Sequence, residues 1–213
     1  MNRHLQSSDG RCTGWVACFT ATHRSPGIRR ASFLIMLLWV FSNVLSNAMA
    51  WNEEEVEYPA KLAFLFNFAK FIEWPPGSLP SPRAPLVICI VGHDPFSPAT
   101  ENELRTRTVS SHPIEIRTVR TTDTLSVCSM VFVPVTERDH ADTILRMLSG
   151  SSTLTVGEIE GFAARGGIIN LTVEGNRLHF EINQLAAERA GLQISSKLFS
   201  LAKIVTDGQR RPR

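Results

Sequence analysis

Near the C-terminal end, Arg177, His179, Glu181 and Asn183 set a guanidinium, an imidazole, a carboxylate and an amide at every second position. In a strand that spacing puts all four on one face, with Leu178, Phe180 and Ile182 on the other. Such a row is either the solvated face of an antiparallel strand or a polar patch that recognises a partner or ligand. His179 is the protonatable imidazole of the row, between Arg177 and Glu181.

The other reactive groups are sparse. Of four cysteines, Cys12 and Cys18 lie in an N-terminal segment that reads as an address, leaving Cys89 and Cys128. An isolated pair in an exported protein is most simply one disulfide, and two buried thiols on neighbouring strands is the alternative. Neither cysteine has the spacing of a zinc ligand. His93, His112 and His140 are scattered, and the adjacent His93-Asp94 suits an Asx turn better than a catalytic pair. The chain lacks G-x-S-x-G, P-loop, H-E-x-x-H and G-x-G-x-x-G patterns. Gly166-Gly167 precedes a strand, which suits a bend or a close backbone approach rather than a phosphate cradle. No catalytic residue, metal or cofactor is called for, and an enzyme is the least supported reading.

The 213 residues carry 22 Lys+Arg and 20 Asp+Glu, a net charge of +2. That balance changes along the chain. Arg29 and Arg30 precede nine apolar residues, Phe33 to Phe41, and Ala48-Met49-Ala50 closes the stretch. This is the pattern of a signal peptide over residues 1–50, with an uncleaved anchor as the alternative. The long lead before the apolar run fits a start codon placed too far upstream. Residues 1–50 hold five arginines and one aspartate, so residues 51–213 carry 17 basic and 19 acidic groups, net −2. A nucleic-acid surface is not expected from that balance.

The elements that would position these groups follow from periodicity. An acidic segment, 51–58, precedes Pro59 at the first turn of a helix over Ala60–Glu73. That helix has Leu62, Leu65, Phe66, Ala69 and Ile72 on one face and Phe64, Phe68 and Phe71 on a second. Ala63, Asn67 and Lys70 make its outer side, so the helix is buried on several sides or shares a face with a partner. A loop with five prolines leads to Leu86–Val91, a continuous apolar run expected to be buried on both faces. A helix near Pro98–Leu104, strands at Ile114–Arg120 and Cys128–Pro134, a helix at Asp139–Leu148 and a strand at Leu154–Val156 follow. A helical turn near Glu158–Ala164 leads to a hairpin, Gly167–Val173 and Arg177–Asn183. Helices at Gln184–Ala190 and Ser196–Val205, separated by Gly191, close the domain over 59–205, and 206–213 reads as a flexible tail. The order predicts an α/β protein: a three-layer-like sandwich with a mixed, mostly parallel, Rossmann-like sheet and a C-terminal hairpin plus helices.

Several stretches together resemble the YfiR family of YfiR/HmsC-like periplasmic regulators. They are Lys61 to Pro75 (KLAFLFNFAKFIEWP), Ile88 to Phe96 (ICIVGHDPF), Cys128 to Val133 (CSMVFV), Leu154-Thr155-Val156, and Gly161 to Leu171 (GFAARGGIINL). Phe180 to Asn183, Ala186-Ala187, Gly191-Leu192 and Ile194 to Leu198 complete the match, from Pro59 to Val205. The chain departs at Gly157-Glu158, where the family more often has Ser-Asp, a change expected to touch only a helix N-cap. The resemblance implies a non-catalytic periplasmic protein, often a homodimer, that represses an inner-membrane diguanylate cyclase by binding its periplasmic sensor region. An outer-membrane lipoprotein would relieve that repression, linking the envelope to cyclic di-GMP and biofilm formation. It also implies a Cys89–Cys128 disulfide. The alternative function is a small-ligand-binding sensor module that acts with a separate membrane receptor.

Overall fold

The computed structural model describes residues 53–208 apart from 80, 82 and 176. The expected export signal lies outside the described residues, as does the end of the tail. Helix α1 runs over Glu53–Phe71, so it begins before the expected start and carries Pro59 inside it. The acidic segment expected to precede the helix supplies its first turns. Ala63, Asn67 and Lys70 are exposed and Leu62, Leu65, Phe68 and Ala69 are buried, as the spacing predicts. The helix stops at Phe71 rather than Glu73, because residues ahead of proline favour extended backbone. Ile72–Glu73 instead form a short strand, β1, antiparallel to a later strand at Gln193–Ile194.

The remaining elements, in chain order, are β2 (Leu86–Val91), α2 (Pro98–Arg105), β3 (Thr108–Val109) and β4 (His112–Val119). Next come β5 (Met130–Val133), α3 (Ala141–Met147), β6 (Leu154–Gly157), β7 (Ile169–Glu174) and β8 (Arg177–Asn183). Then follow α4 (Gln184–Arg189), β9 (Gln193–Ile194), α5 (Ser196–Phe199) and β10 (Lys203–Val205). Eight strands form one sheet in the order β10-β8-β7-β6-β5-β2-β4-β3. All neighbours are parallel except the hairpins β7–β8 and β3–β4. The expected mixed, mostly parallel α/β sheet with a C-terminal hairpin is therefore the fold.

Strict alternation divides the core into two layers. Leu86, Ile88 and Ile90 of β2, with Met130 and Phe132 of β5, pack under α1 against Leu65, Phe68 and Ala69. Val87, Cys89 and Val91, with Val131 and Val133, face the opposite layer, which contains Ala141 and Ile144 of α3 and Phe162. All six side chains of β2 are buried, which is why its sequence shows no polar alternation. Cys89 and Cys128 are disulfide-bonded in this second layer, with Cα atoms 5.8 Å apart.

Three local features differ from the sequence expectation. The β3–β4 hairpin was not expected. Its two-residue connection is Ser110-Ser111, both at positive φ (49° and 73°), a turn ordinarily announced by Asn-Gly. The expected helix over Ser196–Val205 is helical only to Phe199, and β-branched Ile204 and Val205 join the sheet as β10 beside β8. The start of the tail is held rather than free: Arg189 and Asn183 bind the Asp207 carboxylate, and Gly208 N–H donates to Ala164 O.

Candidate functional site

The sequence-predicted row Arg177, His179, Glu181, Asn183 lies on one face of β8 but does not make one patch. Arg177 and His179 are exposed, whereas Glu181 and Asn183 are buried. Asn183 belongs to the scaffold. Its Oδ1 accepts from Ala186 N–H at 3.1 Å, capping α4, and its Nδ2 donates to Ala163 O and to Asp207.

The outer half is set by sheet register. β6 pairs with β7 only at Val156–Ile169 and Gly157–Asn170, and β10 reaches β8 only from Glu181 to Asn183. The hairpin from Leu171 to Phe180 therefore extends beyond both flanking strands of the sheet. Its projecting part carries Arg177, His179 and the half-exposed Val173, which pairs across the hairpin with Leu178.

Below the projection, where β5 and β6 end, a cavity of about 490 Å³ opens between α1, the segment after β6 and β7. Lys61, Glu57, Glu158, Asn170, Thr172 and Glu181 line it. Crevices outside the carboxyl ends of parallel strands are where open α/β sheets present ligand sites. Lys61 reaches inward from α1 and meets Glu158 Oε2 at 2.5 Å, and Glu57 one turn earlier also pairs with it. The Lys61 ammonium further lies 4.4 Å from the centre of the Tyr58 ring. Burial acts to lower the Lys61 pKa, but hydrogen bonds to Glu158 and Glu57 outweigh it and hold the ammonium above its ordinary value. The second oxygen of Glu158 accepts from Val135 N–H at 2.9 Å. One carboxylate therefore joins α1, the end of β6 and the turn after β5.

Glu158 is more than the helix cap its position suggested, because Gly157 delivers it to the α1 side of the sheet. A Cβ on Gly157 would lie 2.5 Å from the Phe162 ring, and one on Gly167 would lie 2.3 Å from it. Both glycines let backbone pass directly under Phe162. For Gly167 this is the close approach expected from its place before a strand.

Asn170, 1% exposed, donates from Nδ2 to Glu181 Oε2 at 3.3 Å, directly across the hairpin. Lys203 Nζ lies 3.5 Å from the other Glu181 oxygen. Asn170 Oδ1 and Thr172 Oγ1 are buried with no hydrogen-bond partner among the described residues. Because the amide nitrogen is engaged by a carboxylate, the free Asn170 oxygen is an acceptor awaiting a donor. Asp94 of the His93-Asp94 pair accepts from Phe96 N–H at 2.9 Å, the Asx turn expected of it.

A family model described as YfiR/HmsC-like matches residues 58–203. Among solved structures, the chain is similar to an ABC domain in complex with L-Trp from Streptococcus pneumoniae, at 12% identity and a TM-score of 0.42. That alignment covers 56% of this chain and 55% of the other. It is also similar to a conserved domain protein from Vibrio cholerae O1 biovar El Tor, at 16% identity and a TM-score of 0.42, over 57% and 55% of the two chains. The chain thus spans about half the length of both solved structures.

Proposed function

The chain belongs to the YfiR/HmsC-like family, and on that premise we propose that it is a non-catalytic periplasmic regulator of diguanylate cyclase signalling. It represses an inner-membrane cyclase by contact with the cyclase's periplasmic sensor region, and so limits cyclic di-GMP and biofilm formation. A homodimer is the acting form, and an outer-membrane lipoprotein relieves the repression. The family match over residues 58–203 carries this reading. Among the described residues no helix is long and apolar enough to cross a membrane.

Repression is a population shift: the regulator binds the inactive cyclase better than the active one. Moving a balanced cyclase to 99% inactive needs roughly a hundredfold preference, about 2.7 kcal/mol. The projecting hairpin is suited to supply it, since Arg177, His179 and Val173 are exposed on an element that extends past the sheet. Affinity purification of the tagged chain from envelope extract should retain a membrane protein with a cyclase domain. Substitutions Arg177→Glu and Val173→Asp should reduce that retention at least tenfold. Recovery without a cyclase, or with the hairpin variants unimpaired, would count against this assignment.

A second reading, a small-ligand sensor, is favoured by Asn170 Oδ1 and Thr172 Oγ1, which have no hydrogen-bond partner among the described residues and belong to residues lining the 490 Å³ cavity. The ligand would carry a hydrogen-bond donor. Thermal denaturation against a panel of periplasmic metabolites tests it, because a tight ligand raises Tm by mass action. No shift with any donor-bearing compound would remove this reading and leave the first intact.

A further inference from the structure

At the opposite ends of β6 and β7 from the site described above, three arginines surround a second depression, and the family reading does not use it. Arg146 of α3, Arg165 of the 3-10 turn Ala163–Arg165 and Arg189 of α4 line a cleft of about 560 Å³ in which Asp142 is the lone acidic lining residue among the described residues. This cationic focus lies on a domain whose residues 51–213 carry a net −2. Three arginines from three separate elements have thus been brought to one concavity against the net charge of residues 51–213.

The guanidiniums are incompletely engaged. Arg146 Nη2 donates to the Thr143 hydroxyl at 2.9 Å and has no carboxylate partner among the described residues. Arg165 Nη1 lies 3.3 Å from Asp142 Oδ1, beyond the 2.7–2.9 Å of a strong charge-assisted pair, and both side chains are about a third or more exposed. Arg189 is held more firmly, at 2.6 Å from Asp207. At the rim, Gly150 and Gly166 take positive φ (79° and 102°), and a Cβ on either would meet nothing within 4 Å. The mouth is open there. Buried Leu148, Ile168 and Ala186 contribute apolar lining, against which charge-assisted hydrogen bonds are stronger than in bulk water.

We propose that this cleft is a binding site for a small soluble polyanion carrying phosphate or carboxylate groups, gripped by Arg146 and Arg165. Asp142 is the internal stand-in for one of its anionic groups. The ligand displaces Asp142 from Arg165 and takes up the guanidinium of Arg146, while Arg189 stays paired with Asp207.

Calorimetric titration of the full-length chain with pyrophosphate, and separately with citrate, at fixed ionic strength tests this. A saturable single site with Kd below about 1 mM is expected. Arg146→Gln and Arg165→Gln should each weaken binding about tenfold, the loss of one charge-assisted contact. Asp142→Asn should tighten it several-fold, an effect that damage to the fold would not produce. Arg117→Gln, on β4 and outside the cleft, should leave Kd unchanged. The same Kd in every variant, no saturable heat with either probe, or no gain in Asp142→Asn overturns the proposal. So does binding to phosphatidylglycerol vesicles without binding to either soluble probe, which would make the cleft a contact for a lipid surface.

Discussion

Replacing Lys61 with methionine tests the electrostatic clamp on which the candidate site is built. Methionine keeps an unbranched stem of four heavy atoms, with sulfur in place of one methylene, and removes the ammonium. Glu158, its side chain 4% exposed, would then be a buried carboxylate held by the single N–H of Val135. Removing one partner of a buried ion pair costs about 3–5 kcal/mol, whereas replacing both is often close to neutral. Glu57 retains 35% side-chain exposure and stays solvated in either variant. Lys61→Met should therefore lose about 3–5 kcal/mol, a fall in Tm of roughly 6–20 °C for a chain of this size. Lys61→Met/Glu158→Gln keeps an acceptor for Val135 N–H and should recover to within about 1.5 kcal/mol of the parent. With Glu158→Gln as the other single variant, the double-mutant cycle gives a coupling of at least about 1.5 kcal/mol. Urea denaturation at pH 7, followed by near-UV circular dichroism, measures all three. The parent also has an alkaline signature. Because the folded Lys61 pKa is raised, its contribution is complete below the unfolded value of 10.5 and is lost as pH rises through the folded value. Lys61→Met should lack that loss. A single-variant loss below about 1 kcal/mol, or additive effects, would refute the buried-pair reasoning.

Cys89→Ala/Cys128→Ala opens a loop with a sequence separation of 39. It should lower unfolding free energy by about 4 kcal/mol in the chain-entropy treatment, and reductant should then no longer change the Tm. Gly92→Ala places a Cβ at φ +77°, 2.1 Å from the Glu137 carboxylate that accepts from the Thr121 hydroxyl and pairs with His140. It should destabilise by about 1–3 kcal/mol, and Gly92→Ala/Glu137→Ala should recover part of that in the same urea assay. Asp207 is held below its ordinary pKa by Arg189 and then by Asn183. Its contribution is present above about pH 4 and is lost as pH falls through the lowered folded value. Asp207→Asn should flatten that part of the acid limb of a Tm-against-pH curve, and an unchanged limb would remove the tail anchor from the account.

The central strands were legible because burial on both faces leaves a run without polar interruption, as in Leu86–Val91. The C-terminal hairpin was legible from its alternation, and the helix end at Gly191 from the residue that tolerates φ +70° there. The misread boundaries share a cause. Proline is at home at a helix start, which puts the expected start at Pro59, yet Pro59 lies within α1 on its exposed side. Lys203–Val205 carries helical spacing from Leu198, but an open edge beside Glu181–Asn183 made a strand the better partner. The candidate site was the least visible. Lys61 and Glu158 are 97 residues apart, and nothing local in either segment announces the pair. Asn170 sits in an apolar strand that reads as core, and only the cross-strand register to Glu181 brings its amide to the cavity. Of the predicted polar row, alternation identified the shared face but not the coverage that divides it into an exposed and a buried half.

Under the proposed function the chain holds a cyclase inactive, and cellular cyclic di-GMP measures that directly. Deleting the gene should raise the nucleotide level, and restoring the intact chain should return it to the parental value. An unchanged or lowered level on deletion would contradict the account.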